Sequence, residues 1–187
     1  MMCCQRLGLY ILISALFNAV FCHSVGADVA SEDEIKAAYL YHILHFVEWP
    51  AVQNAASDSS INICVMDSAG NNQALKQLGT ETISKHPVSV RFITWTSRDF
   101  DCHLLFVKDV SYQAMSDLLR IIGRKGVLTV GDSPGFAKDG GMIGFVIHEG
   151  SVRIEINLRA ATNAGLIVSA KLLEVAESVI DIPESNL

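Results

Sequence analysis

The segment Gly131-Asp132-Ser133-Pro134-Gly135 fits the pattern G-x-S-x-G, in which a serine on a tight turn after a strand attacks acyl groups. That chemistry needs a helix directly after the serine, so that backbone N–H groups face the developing oxyanion. Pro134 and Gly135 follow instead, then a charged, glycine-containing stretch to Gly141 and another strand-like run. Asp139 and His148 lie downstream, but within one loop and hairpin, too local to complete a triad. The segment has no G-K-[ST] and no helix start, so it is not a phosphate cradle either. The expectation is a structural loop and no catalytic residue.

Two other groups could carry chemistry. His42 and His45 are three residues apart, with Glu48 three further on, a spacing that could share a helical face and ligate a metal. A further ligand is needed, and nothing nominates His86, His103 or His148 for it; half-buried polar groups beside a core face explain the imidazoles, and no metal or cofactor is expected. Cys64 and Cys102 are the two cysteines left once the N-terminal segment is set aside. An even pair in an exported chain suggests one disulfide. Two buried free thiols or half of a metal site are the alternatives, although a CxxC spacing is absent.

The compartment follows from the first residues of the 187-residue chain. Met1 to Arg6 carries one positive charge, Leu7 to Cys22 is almost wholly apolar, and small residues cluster before Ala27. This reads as a signal peptide over residues 1–27, cut after Ala27, with periplasmic delivery of one domain over residues 28–187. An uncleaved anchor is the alternative; a lipoprotein cut before Cys22 is disfavoured by bulky Phe21. The remaining 160 residues hold 13 basic and 20 acidic side chains, a net charge of −7, which makes nucleic acid an improbable partner. They can bury about 70% of their unfolded surface, enough for one core.

The elements that must position these residues read as follows. Ser31 and Glu34 form a capping box for a helix that stops at Trp49-Pro50, with Ile35, Tyr39, Ile43 and Phe46 as its apolar face. Ile61 to Val65 is a strand followed by a short helix from Asn71 to Leu78. Val88 to Thr94 and Leu104 to Val107 are strands, Ser111 caps a helix that Gly123 ends, and Val127 to Val130 is another strand. Met142 to His148 and Val152 to Leu158 form a hairpin across Glu149-Gly150-Ser151. Helices over Arg159 to Ala164 and Ser169 to Val179 finish the chain. The alternation predicts an α/β three-layer sandwich: a mixed, mostly parallel sheet, helices on both faces and a C-terminal antiparallel hairpin.

The stretches IKAAYLYHILHFVEWP, CHLLFV, VLTVGDSPGFAKDGGMIGF and IEINLRAATNAGLIVSAKLLEVA, in that order, resemble the YfiR family of exported bacterial proteins. The resemblance spans most of the chain after the signal. It implies a periplasmic, non-enzymatic regulator with an α/β fold, typically a homodimer. The best-known member holds an inner-membrane diguanylate cyclase inactive by binding its periplasmic part, lowering cyclic di-GMP and biofilm formation. The resemblance also pairs Cys64 with Cys102 as a family disulfide. Some relatives carry a second cysteine pair at positions resembling Ala137 and Gly144; this chain does not, which puts a redox switch at that loop in doubt. His42 stands where relatives commonly have asparagine, which argues against a shared metal role.

The expected partner is therefore the periplasmic portion of a diguanylate cyclase or a related receptor such as a sensor kinase. Arg153, Glu155 and Asn157 alternate with the core residues Ile154, Ile156 and Leu158 and are the candidate contact strip. A small-molecule-binding or hydrolytic protein using the glycine loop and the histidines is the reading from another class.

Overall fold

The first helix forms where its cap is written. In the computed structural model, which describes residues 30–50, 59–67, 72–97, 100–122 and 126–181, α1 runs Glu32–Phe46. The Ser31 Oγ accepts from the Glu34 N–H at 3.3 Å, and the Glu34 carboxylate accepts from the Ser31 N–H at 2.7 Å. Glu32, Asp33 and Glu34 place negative charge at the positive end of the helix dipole. The expected signal segment and its cut after Ala27 lie outside the described residues, as does Gly123. The fold belongs to the unit Ser31–Leu187.

α1 departs from its expected face. The buried residues are Lys36, Ala37, Leu40, Ile43 and Leu44, while Ile35, Tyr39 and Phe46 pack at the rim of the core. The stripe is rotated by about one position because Lys36, which a hydrophobicity pattern excludes, is buried through its ion pairs. The helix also ends before the proline. Val47 turns extended and, with Glu48, forms β1 (Val47–Glu48), antiparallel to β9 (Ile167–Val168).

The central sheet has eight strands: β2 (Ile61–Met66), β3 (Thr82–Ile83), β4 (His86–Ile93), β5 (Leu104–Val107), β6 (Leu128–Gly131), β7 (Ile143–His148), β8 (Ser151–Asn157) and β10 (Ser178–Ile180). Their spatial order is β10-β8-β7-β6-β5-β2-β4-β3. All neighbours are parallel except the β7–β8 hairpin and the short β3–β4 pair. β5 and β6 are buried throughout, as strands covered on both faces must be.

Alternation along the strands divides the core in two. One face gathers Ile63, Val65, Phe106, Val130 and Phe145 with Leu40 and Ile43 of α1, Leu75 of α2 (Gln73–Gln77), Ala161 of α4 (Leu158–Asn163) and Leu172 of α5 (Ala170–Glu174). The other gathers Cys64, Met66, Leu105 and Val107 with Met115, Leu118 and Ile122 of α3 (Tyr112–Ile122), and with Phe136 from the loop after β6. This is the expected three-layer α/β arrangement. Among the described residues no helix is long and apolar enough to cross a membrane.

Cys64 on β2 and Cys102, two residues before β5, are joined by a disulfide with Cα atoms 5.8 Å apart. The link spans 38 residues, and closing such a loop stabilises the fold by about 4 kcal/mol in the chain-entropy model.

The tail differs from expectation. The helix expected over Ser169 to Val179 stops at Glu174, and Ser178 to Ile180 leave it as β10, parallel to β8. Val175 and Val179, expected on an apolar helix side, are 59% and 41% exposed. β8 had one free edge, and three residues able to adopt extended geometry pair with it; local spacing carries no trace of that choice.

Candidate interaction surface

Ser133 has both of its hydrogen-bonding roles filled by the backbone. Its Oγ donates to the Val110 carbonyl at 2.9 Å and accepts from the Val110 N–H at 3.0 Å, pinning the loop after β6 to the segment before α3. Asp132 beside it accepts from the Asp109 N–H at 3.0 Å and from the Lys36 ammonium at 2.8 Å. Lys36 also meets Glu32 at 2.7 Å, and Lys108 meets Asp33 at 2.9 Å. Burial pulls the Lys36 ammonium down, but its bonds to Asp132 and Glu32 outweigh that and hold it above the ordinary lysine range. The network locks the first turn of α1 to the carboxyl ends of β5 and β6. Among the described residues, the Ser133 Oγ is hydrogen-bonded to the backbone of Val110 and to no general base.

The glycines of the same loop answer to Phe136. Its ring, 1% exposed, lies between Gly131 and Gly141, and a methyl group on either would fall inside the ring. Gly144 faces Ala137, whose backbone nitrogen would be 3.2 Å from an added Cβ. The register runs Val107, Gly131, Gly144, Glu155, Ser178 across five strands, so the loop folds back over the bare backbone of β6 and β7. The same geometry places a Gly144 Cβ 3.5 Å from the Ala137 Cβ, within disulfide range, which agrees with the positions where some relatives carry a second cysteine pair.

On the α3 side of the sheet, the loop gives way to the outward face of β8. The three candidate contact residues stand there in different situations. Arg153 is exposed. Glu155 is 8% exposed and meets the Lys138 ammonium at 3.1 Å and the Ser178 hydroxyl at 3.2 Å. Asn157 caps α4 by accepting from the Ala160 N–H at 2.9 Å and donates to the Ala137 carbonyl at 2.9 Å. Glu155 and Asn157 thus hold β8 to the loop, α4 and β10, and do not form an open polar strip. Lys138, bonded to Glu155, and His148, paired with Glu177 and opposite Ser151 in the β7–β8 register, flank the same stretch of β8, and the sequence did not nominate them. Their signal was absent because Lys138 reaches Glu155 only after the loop folds back, and Ser178 only after β10 forms.

The histidines scatter. His42 is exposed, the His45 Nδ1–H donates to the Tyr41 carbonyl at 3.0 Å, and Glu48 sits on β1, beyond the helix. Among the described residues no group of three or more His, Cys, Asp or Glu side chains is placed to hold a metal ion.

A family model described as YfiR/HmsC-like matches residues 33–177, from the first turn of α1 to the approach to β10. The chain belongs to the YfiR/HmsC-like family. Membership supports a periplasmic regulator in the general sense. No curated protein sequence matches this YfiR/HmsC-like chain. Among solved structures, an ABC domain in complex with L-Trp from Streptococcus pneumonia is similar at a TM-score of 0.46 and 12% identity. That match covers 65% of this chain and 55% of the other, and at that score it carries no argument.

Proposed function

We propose that this YfiR/HmsC-like protein is a periplasmic repressor that binds the periplasmic portion of an inner-membrane signalling protein, a diguanylate cyclase, and holds it inactive. Residues 1–27 direct export and are cleaved off in its course, and the working form is a homodimer. The family match over residues 33–177 carries the reading. The filled hydrogen bonds of Ser133 favour it over the hydrolytic alternative.

Repression by binding works only through differential affinity: a tenfold preference for the inactive receptor requires about 1.4 kcal/mol. The proposed contact is centred on Arg153, with Lys138 and His148 around it. Rim charges of this kind steer association and set specificity more than they add affinity. Glu155 belongs to the site's support, because reversing a carboxylate that is 8% exposed would set two cations against each other beside the sheet.

The test is binding of the Arg153→Glu variant to the purified periplasmic portion of the cyclase. We expect affinity to fall about tenfold, mostly in the association rate, with unchanged unfolding by urea. Equal affinity would remove this face from the interface, and a sensor kinase's periplasmic portion binding in the cyclase's place would change the partner.

A further inference from the structure

Thr129 is the second residue of β6, a strand buried along its whole length. Its neighbours Leu128 and Val130 belong to the core on the α1 side, so alternation sends the Thr129 side chain to the α3 side. A hydroxyl is both a donor and an acceptor, and this residue is 1% exposed. Its Oγ accepts from the Met142 N–H at 3.1 Å, which leaves the hydroxyl proton without an acceptor among the described residues. A buried donor left unpaired is destabilising until something meets it.

Thr129 borders open space. A cavity of about 130 Å³ lies where α3, α4 and the end of the loop after β6 meet. Thr129, Ile122 and Met142, all buried, close its inner end. Leu119, Ala160 and Ala164 are half-buried walls, and the exposed Gly140 and Asn163 mark its mouth. Among the described residues no charged side chain lines it.

We propose that this cavity binds a small neutral cyclic carbonyl compound, its oxygen accepting from the Thr129 hydroxyl and its ring against Leu119, Ile122 and the α4 alanines. Volume sets the size, since cavities of about 150 Å³ take up one benzene ring. The uncharged lining offers an ion nothing to replace its lost water, which selects a neutral molecule. The free donor selects a carbonyl, because an alcohol or an amide would bring an O–H or N–H of its own to the apolar walls and leave it unpaired. The site uses none of Arg153, Lys138 and His148, and it does not depend on the receptor reading above.

The test is titration of the exported protein with cyclohexanone, followed by proton–nitrogen correlation spectra, with methylenecyclohexane as the control that carries CH2 in place of the oxygen. Thr129→Val removes the donor at equal shape, Thr129→Ser keeps it, and Ala160→Leu fills the space. Expected are saturable shifts confined to amides around the cavity, and no binding by folded Ala160→Leu. The preference for cyclohexanone over methylenecyclohexane should be about fivefold lower in Thr129→Val than in the wild type and Thr129→Ser. If Thr129→Val fails to fold for want of its bond to Met142, the wild-type titration and Ala160→Leu decide the matter. No saturable binding of cyclohexanone by the wild type, shifts centred elsewhere, Ala160→Leu binding like the wild type, or equal preference in the valine and serine variants would each overturn the assignment.

Discussion

Phe136 accounts for two glycines around the loop after β6, one of them the first glycine of the G-x-S-x-G pattern. Gly131 and Gly141 are bare because the ring occupies the space their side chains would need, whereas a Cβ on Gly144 would only press on the Ala137 backbone nitrogen at 3.2 Å. Gly135 and Gly140 supply the positive φ values, +78° and +103°, that let the loop double back. Gly141→Ala is therefore expected to cost about 1–3 kcal/mol by overpacking. In a Phe136→Leu background, where the ring is gone, the same substitution should cost about 1 kcal/mol less, as residues in contact are coupled. Urea unfolding of the four proteins measures this; additive costs would mean that the glycines serve something other than the ring.

At the scale of elements, the start of β5 is fastened by a titratable group. The Asn62 N–H donates to His103 Nδ1 at 2.8 Å, the His103 N–H returns to the Asn62 carbonyl, and the His103 carbonyl takes the Trp49 indole N–H at 3.0 Å. Nδ1 accepts, so the folded imidazole is neutral. Burial lowers its pKa below the ordinary histidine value, with Asp101 opposing and His86 adding to the shift. A lowered folded pKa means that the stabilisation is complete above the unfolded value of about 6.5 and is lost as pH falls through the folded value. The urea midpoint should drop on acidification below about pH 6.5, and His103→Gln, which keeps an acceptor without titrating, should flatten the profile. A profile identical in the two proteins would contradict this.

The same scale shows what the sequence could and could not reveal. Capping by Ser31, the run from Leu104 to Val107 and the hairpin around Glu149-Gly150 were legible because each is decided within a few residues. β10 was not, since residues 178–180 become a strand only through the free edge of β8. The burial of Lys36 was hidden because Asp132 lies 96 residues away. The candidate site shows the same division: Arg153 pointing outward follows from alternation, while the burial of Glu155 depends on Lys138 and Ser178, which long-range folding brings to it. The cysteine pair was legible as a pair, and the adjacency of β2 and β5 supplies the geometry that joins it.

At the largest scale, the disulfide, the buried Lys36–Asp132 ion pair and the folded-back loop tie the sheet of the unit Ser31–Leu187 to the segments around it. In the function proposed above, this unit acts on signalling by holding a receptor in one state. The most direct measurement is intracellular cyclic di-GMP in cells that lack this protein, then in cells restored with the wild type or with Arg153→Glu at equal periplasmic levels. The account predicts that the nucleotide rises without the protein, falls again with the wild type and stays high with Arg153→Glu. Levels that ignore the protein's removal, or a variant that represses as well as the wild type, would contradict it.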